Sequence, residues 1–594
     1  MFTAAALLLV LSLSACGASE QKPAAGNANQ TNSQETVPSA SNTTENTTEN
    51  ETANTTETVY QQDSAALTLD AGAWSYDAEH DVYYQIGVSY CTTPAAATEE
   101  TMSIYVPGAY MKAKDNGDGT FTCKVSNKKK VNGYTAETAP IVFPVDTPGY
   151  AAQKPAVSYH YDNVSRYVNE GFVYVLAGMR GRDNVYSAGK LLYAGGAPWG
   201  VTDLKAAVRC YRFNESSLPG NTDSIFVFGM SGGGGQSAVC GASGDSTLYT
   251  PYLEKIGAAM TDASGRQLSD AVCGVMCWCP VTGFDYADAA YEWDMGQYAK
   301  EDERSTSVYT GVLSDDLALA YADYVNHLGL KDENGTALTL EETKDGIFTK
   351  GTYYDYLKSV INKSLNSFLK TTTFPYKTGG KTYQTAEAYI AALNGEDAWI
   401  TWDEKTKTAE ITEIGAFVTH CRNAELGIGA FDALDLSTAE NSLFGTEENN
   451  RLHFDAVMTK LLKSSGSEYS TYRGWDASVV KQCEEGTASV DALNTTSEVR
   501  QNMYNPMYFL CDYYDGAGSA VTAPHWRIRS GIEQTDTALA SDVNLALALK
   551  NNSAVADVDF AEVWGAGHVE AEETGESTAN FIAWVNQCTG VSHN

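Results

Sequence analysis

Long apolar runs are missing from this chain once its first residues are passed. No later stretch reaches the roughly 18 apolar residues that a membrane-spanning helix needs. Basic residues are scarce as well: Lys and Arg number 39 against 75 Asp and Glu, for a formal net charge of −36. A surface that negative repels phosphate, which excludes nucleic acids and polyanionic substrates as partners and fits solubility at a cell surface. The twelve cysteines lack the pattern of a disulfide framework, since the eleven after Cys16 are scattered and odd in number. Cys273, Cys277 and Cys279 cluster in an apolar, strand-like run whose alternation points them to one face. No nearby His or second cysteine pair completes a zinc set, so buried reduced thiols are expected, with no metal and no cofactor. Such usage in an exported chain fits an anaerobic or weakly oxidising habitat.

What is present describes a folded protein. Hydrophobic residues make up 43% and aromatic residues 11% of 594 positions, more chain than one simple core uses. Residues 4–13 form a short apolar run, followed by Leu13-Ser14-Ala15-Cys16-Gly17. This order resembles a bacterial lipobox, which predicts a leader over 1–16 and lipidation of Cys16, the chain's only link to a membrane. No Lys or Arg precedes the run, as expected if the first methionine is internal to a longer leader. Residues 17–62, rich in Asn, Thr, Glu and Ser, lack the apolar content to fold and read as a disordered tether holding the domain outside the cytoplasm.

Strand patterns occupy 82–91, 102–110, 120–125, 139–145 and 172–178, and helical spacing covers 199–214. Asp115-Asn116-Gly117-Asp118-Gly119 lacks the remaining calcium ligands and reads as a hairpin turn. Asp332-Glu333-Asn334-Gly335 fails the same comparison, because Leu330 stands at the first ligand position. From about 290 to 505 helical patterns dominate, and a strand-and-helix rhythm resumes at 525–531, 538–551, 558–564 and 578–587. The predicted fold is α/β, a mainly parallel sheet with helices on both faces. Its core is split into 63–290 and 506–594 by a mostly helical cap over 291–505.

Gly229-Met230-Ser231-Gly232-Gly233 follows the apolar run Ser224-Ile225-Phe226-Val227-Phe228 and precedes a run of small residues able to open a packed helix. A Gly-x-Ser-x-Gly at a strand-to-helix turn is a nucleophile elbow, which makes Ser231 the candidate nucleophile. A serine hydroxyl needs an adjacent base oriented by an acid, and in this fold the chain order is Ser, then Asp or Glu, then His. Of eight histidines only His568 follows a late strand, within Gly565-Ala566-Gly567-His568. The loop after the penultimate strand offers Asp536 as the acid, with Glu533 as the alternative. The backbone N–H groups of Gly232 and Gly149 are the candidate oxyanion donors.

Cys279-Pro280-Val281-Thr282, Ala287-Asp288-Ala289-Ala290-Tyr291-Glu292-Trp293, Gly178-Met179-Arg180-Gly181-Arg182 and His525-Trp526-Arg527-Ile528-Arg529 resemble bacterial subtype B tannases and related feruloyl-esterase-like α/β-hydrolases. So does Asp203-Leu204-Lys205-Ala206-Ala207-Val208-Arg209. The resemblance spans about 135–300 and 500–590. It implies hydrolysis of galloyl or hydroxycinnamoyl esters by a Ser-His-Asp triad beneath a lid. It also implies Asp-x-Asp-Thr after the penultimate strand, the first Asp catalytic and the second touching galloyl hydroxyls. This chain reads Gln534-Thr535-Asp536-Thr537 there. Arg180 and Arg182 are open to two roles, binding a substrate carboxylate or structuring their loop. The expected activity is an extracytoplasmic serine esterase acting on a small-molecule ester. A serine peptidase of the same fold and a non-catalytic ligand-binding surface lipoprotein are the alternatives.

Overall fold

The computed structural model describes residues 65–186, 192–343 and 347–591. The expected leader with Cys16 and the expected tether lie outside them. Three strands, β1 (Ser75–Asp77), β2 (Val82–Ser89) and β3 (Thr101–Pro107), form an antiparallel edge. They lead into six mutually parallel strands: β4 (Ile141–Val145), β5 (Val173–Ala177), β6 (Ile225–Met230), β7 (Gly274–Trp278), β8 (His525–Gly531) and β9 (Asp557–Val563). The nine-stranded order is β1-β2-β3-β5-β4-β6-β7-β8-β9, with β3 antiparallel to β5. All of β7 and all but the last residue of β6 are buried, which is why both read as continuous apolar runs rather than as alternating ones.

Helices α1 (Tyr161–Glu170), α2 (Trp199–Phe213) and α3 (Gly232–Ala242) pack within the first half of the core. Polar groups in α2 are buried but paired. Lys205 Nζ lies 2.7 Å from Asp270, and Asp203 holds Arg180 through two bonds of 2.9 and 2.6 Å. Arg180 also lies 4.2 Å over the Trp199 ring, so of its two open roles it takes the structural one. Pairing is what allows these charges inside, since removal of either partner would leave the other uncompensated.

Between β7 and β8 lies a helical insertion that includes α4 (Ala287–Asp294), α5 (Tyr309–Leu328), α6 (Thr352–Thr371) and α7 (Ala439–Leu443). It also holds two small hairpins, Tyr376–Thr378 with Lys381–Tyr383 and Ile400–Asp403 with Thr408–Ile411, which the mostly helical expectation did not single out. Burial in the second hairpin alternates with period two over four residues a strand, too short to stand out from helical neighbours. After β8 come α8 (Leu539–Asn551) and, beyond β9, α9 (Ser577–Cys588).

The expected turn closes a hairpin of Met111–Asp115 with Phe121–Val125, whose first strand lies beyond the expected 102–110, because that run ends in the sheet strand Thr101–Pro107. Its aspartates serve the turn: Asp115 accepts from the Gly117 N–H at 2.7 Å and Asp118 from the Thr120 N–H at 3.0 Å. The three clustered cysteines do not share a strand face. β7 ends at Trp278, so only Cys277 belongs to it, its thiol 3.2 Å from the Gly234 carbonyl. Cys273 precedes the strand and is half-buried, whereas Cys279 follows it with φ +43° and donates to Val569 O at 3.2 Å. Burial pushes the Cys279 thiol up to about 12, so it stays protonated and unreactive.

Candidate active site

Ser231 sits between β6 and α3 with φ 59° and ψ −125°, a strained backbone for a residue with a side chain. Three bonds hold it there. Its N–H donates to Trp278 O at 3.0 Å, and its carbonyl accepts from Gly235 at 2.9 Å and Val281 at 3.3 Å. The flanking glycines are steric necessities. A Cβ on Gly229 would stand 2.4 Å from Val145 O, and one on Gly233 2.0 Å from the same oxygen. The elbow therefore forms because β4 runs beside it too closely for any side chain, which puts the serine hydroxyl at the carboxyl end of the sheet.

His568 arrives on the loop after β9. That loop packs on the end of β8, where a Cβ on Gly531 would fall 1.9 Å from Gly567 O. Imidazole Nε2 lies 2.8 Å from Ser231 Oγ. Burial lowers the His568 pKa, and the charge of Asp536 opposes that shift. A neutral imidazole with Nε2 free to accept is the form a base requires.

The partner of Nδ1 differs from expectation. Gln534 Oε1 takes the hydrogen bond at 2.7 Å, while Asp536 Oδ2 stands at 3.7 Å, beyond hydrogen-bond reach. Gln534 is 1% exposed and points inward from the end of β8, whereas the Asp536 side chain is half exposed. Asp536 is thus a nearby charge rather than the atom that orients the ring. Glu533 is not brought to the imidazole. Its carboxyl accepts from the Gly565 backbone, and burial raises its pKa.

The candidate oxyanion donors lie together. Gly232 opens α3, where its N–H has no helical acceptor. The loop carrying Gly149 covers that helix end, since a Cβ on Gly232 would fall 2.7 Å from Tyr150 N. Among the described residues neither the Gly149 nor the Gly232 N–H has a protein partner. Gly149 is left-handed at φ 51°, and its carbonyl accepts from Arg182 Nε at 2.5 Å, while the Arg182 N–H donates to Tyr150 O at 2.9 Å. Arg182 thus clamps this loop from behind. Helix α7 also packs on this loop, where a Cβ on Gly149 would stand 3.9 Å from that of Ala439, and its Glu440 is pushed up to about 7 by burial.

Sequence reasoning missed Gln534 as the imidazole partner because a search for an acid passes over an amide. It also missed Arg422, which reaches from the insertion to the carbonyls of Ile532, at 3.0 Å, and Thr537, at the two ends of the loop carrying Gln534. Among the described residues no group of three or more His, Cys, Asp or Glu side chains is placed to hold a metal ion.

No protein-family model and no curated protein matches this chain. Solved structures do. The tannin acyl hydrolase from Lactobacillus plantarum is 25% identical and superposes with a TM-score of 0.63, covering 88% of this chain and 99% of its own. The Fusobacterium nucleatum tannase is 26% identical with the same TM-score, covering 86% of this chain and 95% of its own. A tannin acyl hydrolase in complex with ethyl gallate, 25% identical, gives a TM-score of 0.58 over 88% of this chain and 99% of its own. With its mainly parallel nine-stranded sheet and its insertion between β7 and β8, the chain carries the α/β-hydrolase-like fold of the bacterial tannases.

Proposed function

We propose that the protein is a serine hydrolase of carboxylic esters, acting on esters of aromatic acids of the galloyl or hydroxycinnamoyl type. The observation that carries this reading is the 2.8 Å approach of His568 Nε2 to Ser231 Oγ at the end of β6. His568 takes the hydroxyl proton as Ser231 Oγ attacks the ester carbonyl. The N–H groups of Gly232 and Gly149 receive the oxyanion, and the tetrahedral intermediate collapses as His568 returns the proton to the leaving alcohol. Water then attacks the acyl-enzyme, giving its proton to His568, and collapse of the second tetrahedral intermediate frees the acid as His568 returns that proton to Ser231 Oγ. Asp536 supports the imidazolium by charge.

Two observations favour an aromatic acid. Gln534 takes the imidazole hydrogen bond, which leaves the half-exposed Asp536 carboxylate able to accept from a phenolic hydroxyl. One structural relative was also captured with ethyl gallate. The test is a fluorophosphonate probe on the wild type and on Ser231→Ala, alongside rates on methyl gallate, methyl ferulate and acetylated sugars. Labelling confined to the wild type, with turnover of the aromatic esters, is expected. A wild type that takes no label would sink the hydrolase reading. Turnover of acetylated sugars alone would remove the aromatic acid and keep the esterase.

A further inference from the structure

Behind the imidazole, the chain of contacts does not stop at Gln534. Its Nε2 donates to Asp542 Oδ2 at 3.2 Å, and Asp542, on α8, is 1% exposed. An amide has an acceptor end and a donor end, and which end meets His568 decides the tautomer of the ring. With Oε1 at Nδ1, the ring carries its proton on Nδ1 and keeps Nε2 open to the serine proton. With the amide reversed, an N–H would face Nδ1, the proton would move to Nε2, and the ring could not act as a base. A carboxylate in this place has two equivalent oxygens and cannot be presented the wrong way round. A glutamine can, so something must fix it.

We propose that Asp542 is a positioning residue that holds the Gln534 amide in the catalytic orientation, so that the work of one triad carboxylate is divided between Gln534 and Asp542. This rests on the assignment of Ser231 and His568 as nucleophile and base. As a carboxylate Asp542 offers acceptors only, so it can meet the donor end of the Gln534 amide and not the oxygen end. Its surroundings hold it still. Leu539, at the start of the same helix, donates its N–H to Asp294 Oδ2 at 2.7 Å. Arg422 Nε lies 3.8 Å from that carboxylate while its guanidinium holds the Ile532 and Thr537 carbonyls. The loop bearing Gln534 and the helix bearing Asp542 are thereby held to each other, which keeps Asp542 at the donor end of the amide.

The decisive experiment is a double-mutant cycle in the full-length protein. Asp542→Leu removes the acceptor, and Gln534→Glu installs a side chain that cannot be reversed. In the wild-type background Asp542→Leu should lower kcat by about a hundredfold or more with KM nearly unchanged, since a wrongly presented partner costs a triad on the order of 10⁴. In the Gln534→Glu background the same substitution should cost less than about threefold. Asp542→Asn, whose amide adds a donor end that can also hold the reversed glutamine, should lower kcat in the Gln534 background by less than Asp542→Leu does, and hardly at all in the Gln534→Glu background. ¹⁵N shifts of the His568 ring should report a proton on Nδ1 in the wild type and on Nε2 in Asp542→Leu. Equal losses in both backgrounds, or an unchanged tautomer, would overturn the proposal. If Asp542→Leu does not fold, equal losses from Asp542→Asn in the Gln534 and Gln534→Glu backgrounds would overturn it as well. Fluorophosphonate labelling separates the two levels. A wild type that labels while the cycle is additive removes Asp542 alone, and one that does not label removes the site assignment itself.

Discussion

At the scale of single residues the pH dependence of the base is fixed by its neighbours. Burial lowers the His568 pKa and the Asp536 charge partly offsets that shift. The imidazole works as a base when neutral, so kcat/KM should rise with pH through a midpoint below the ordinary histidine value of 6.5. Asp536→Asn removes the one charge that favours the imidazolium and should move this limb to still lower pH. Because Gln534 keeps the Nδ1 bond, the plateau rate should fall only about tenfold, against the roughly 10⁴ seen when a triad imidazole is given the wrong partner. A pH–rate profile on a short aryl ester checks both, and a midpoint above 6.5 would count against the assignment. The residues themselves explain what was legible. Ser231 and His568 announce themselves by the glycines beside them, even though what requires Gly229 and Gly233 is the approach of β4. Gln534 does not, because an amide earns a place in a triad only through the tertiary contact with Asp542.

At the scale of elements the site is a meeting of loops at strand ends, each held by a neighbour. The strand–turn–helix at Ser231 was readable because buried parallel strands are apolar throughout and the elbow needs small residues. Contacts from the insertion were not readable, since nothing in the local sequence of α7 or near Arg422 records what they touch. The loop of Gly149 and Tyr150 shows the consequence. Arg182 holds it through two bonds, one from its guanidinium and one from its backbone. Arg182→Met keeps the backbone bond and loses the other, which loosens the peptide that follows the Gly149 donor. The expected result is a fall in kcat of about tenfold to a hundredfold with little change in KM, below the 10²–10³ that loss of a whole oxyanion donor costs. Arg182→Lys should recover part of it. A change confined to KM would instead place Arg182 on the substrate.

At the scale of the whole molecule, the acidity of the chain reaches its interior. Burial pushes Glu100, Asp288, Glu440 and Asp542 up to about 7 and Asp285 up to about 6. In the unfolded chain such groups release their protons near pH 4. Between pH 4 and 7 the folded state therefore binds more protons than the unfolded one, so stability falls as pH rises through that window and levels off above it. The formal charge of −36 at pH 7 adds self-repulsion in the same direction. Thermal melts should show a higher Tm at pH 5 than at pH 8, and the reverse order would contradict these assignments. The position of the insertion has a temporal meaning too. Ser231 and His568 are 337 residues apart along the chain. At a synthesis rate of about 5–20 residues per second, the proposed nucleophile waits roughly half a minute for its proposed base. On the proposed assignment, every nascent fragment that ends short of the His568 loop lacks its base, and hydrolysis can begin only once that loop has been made.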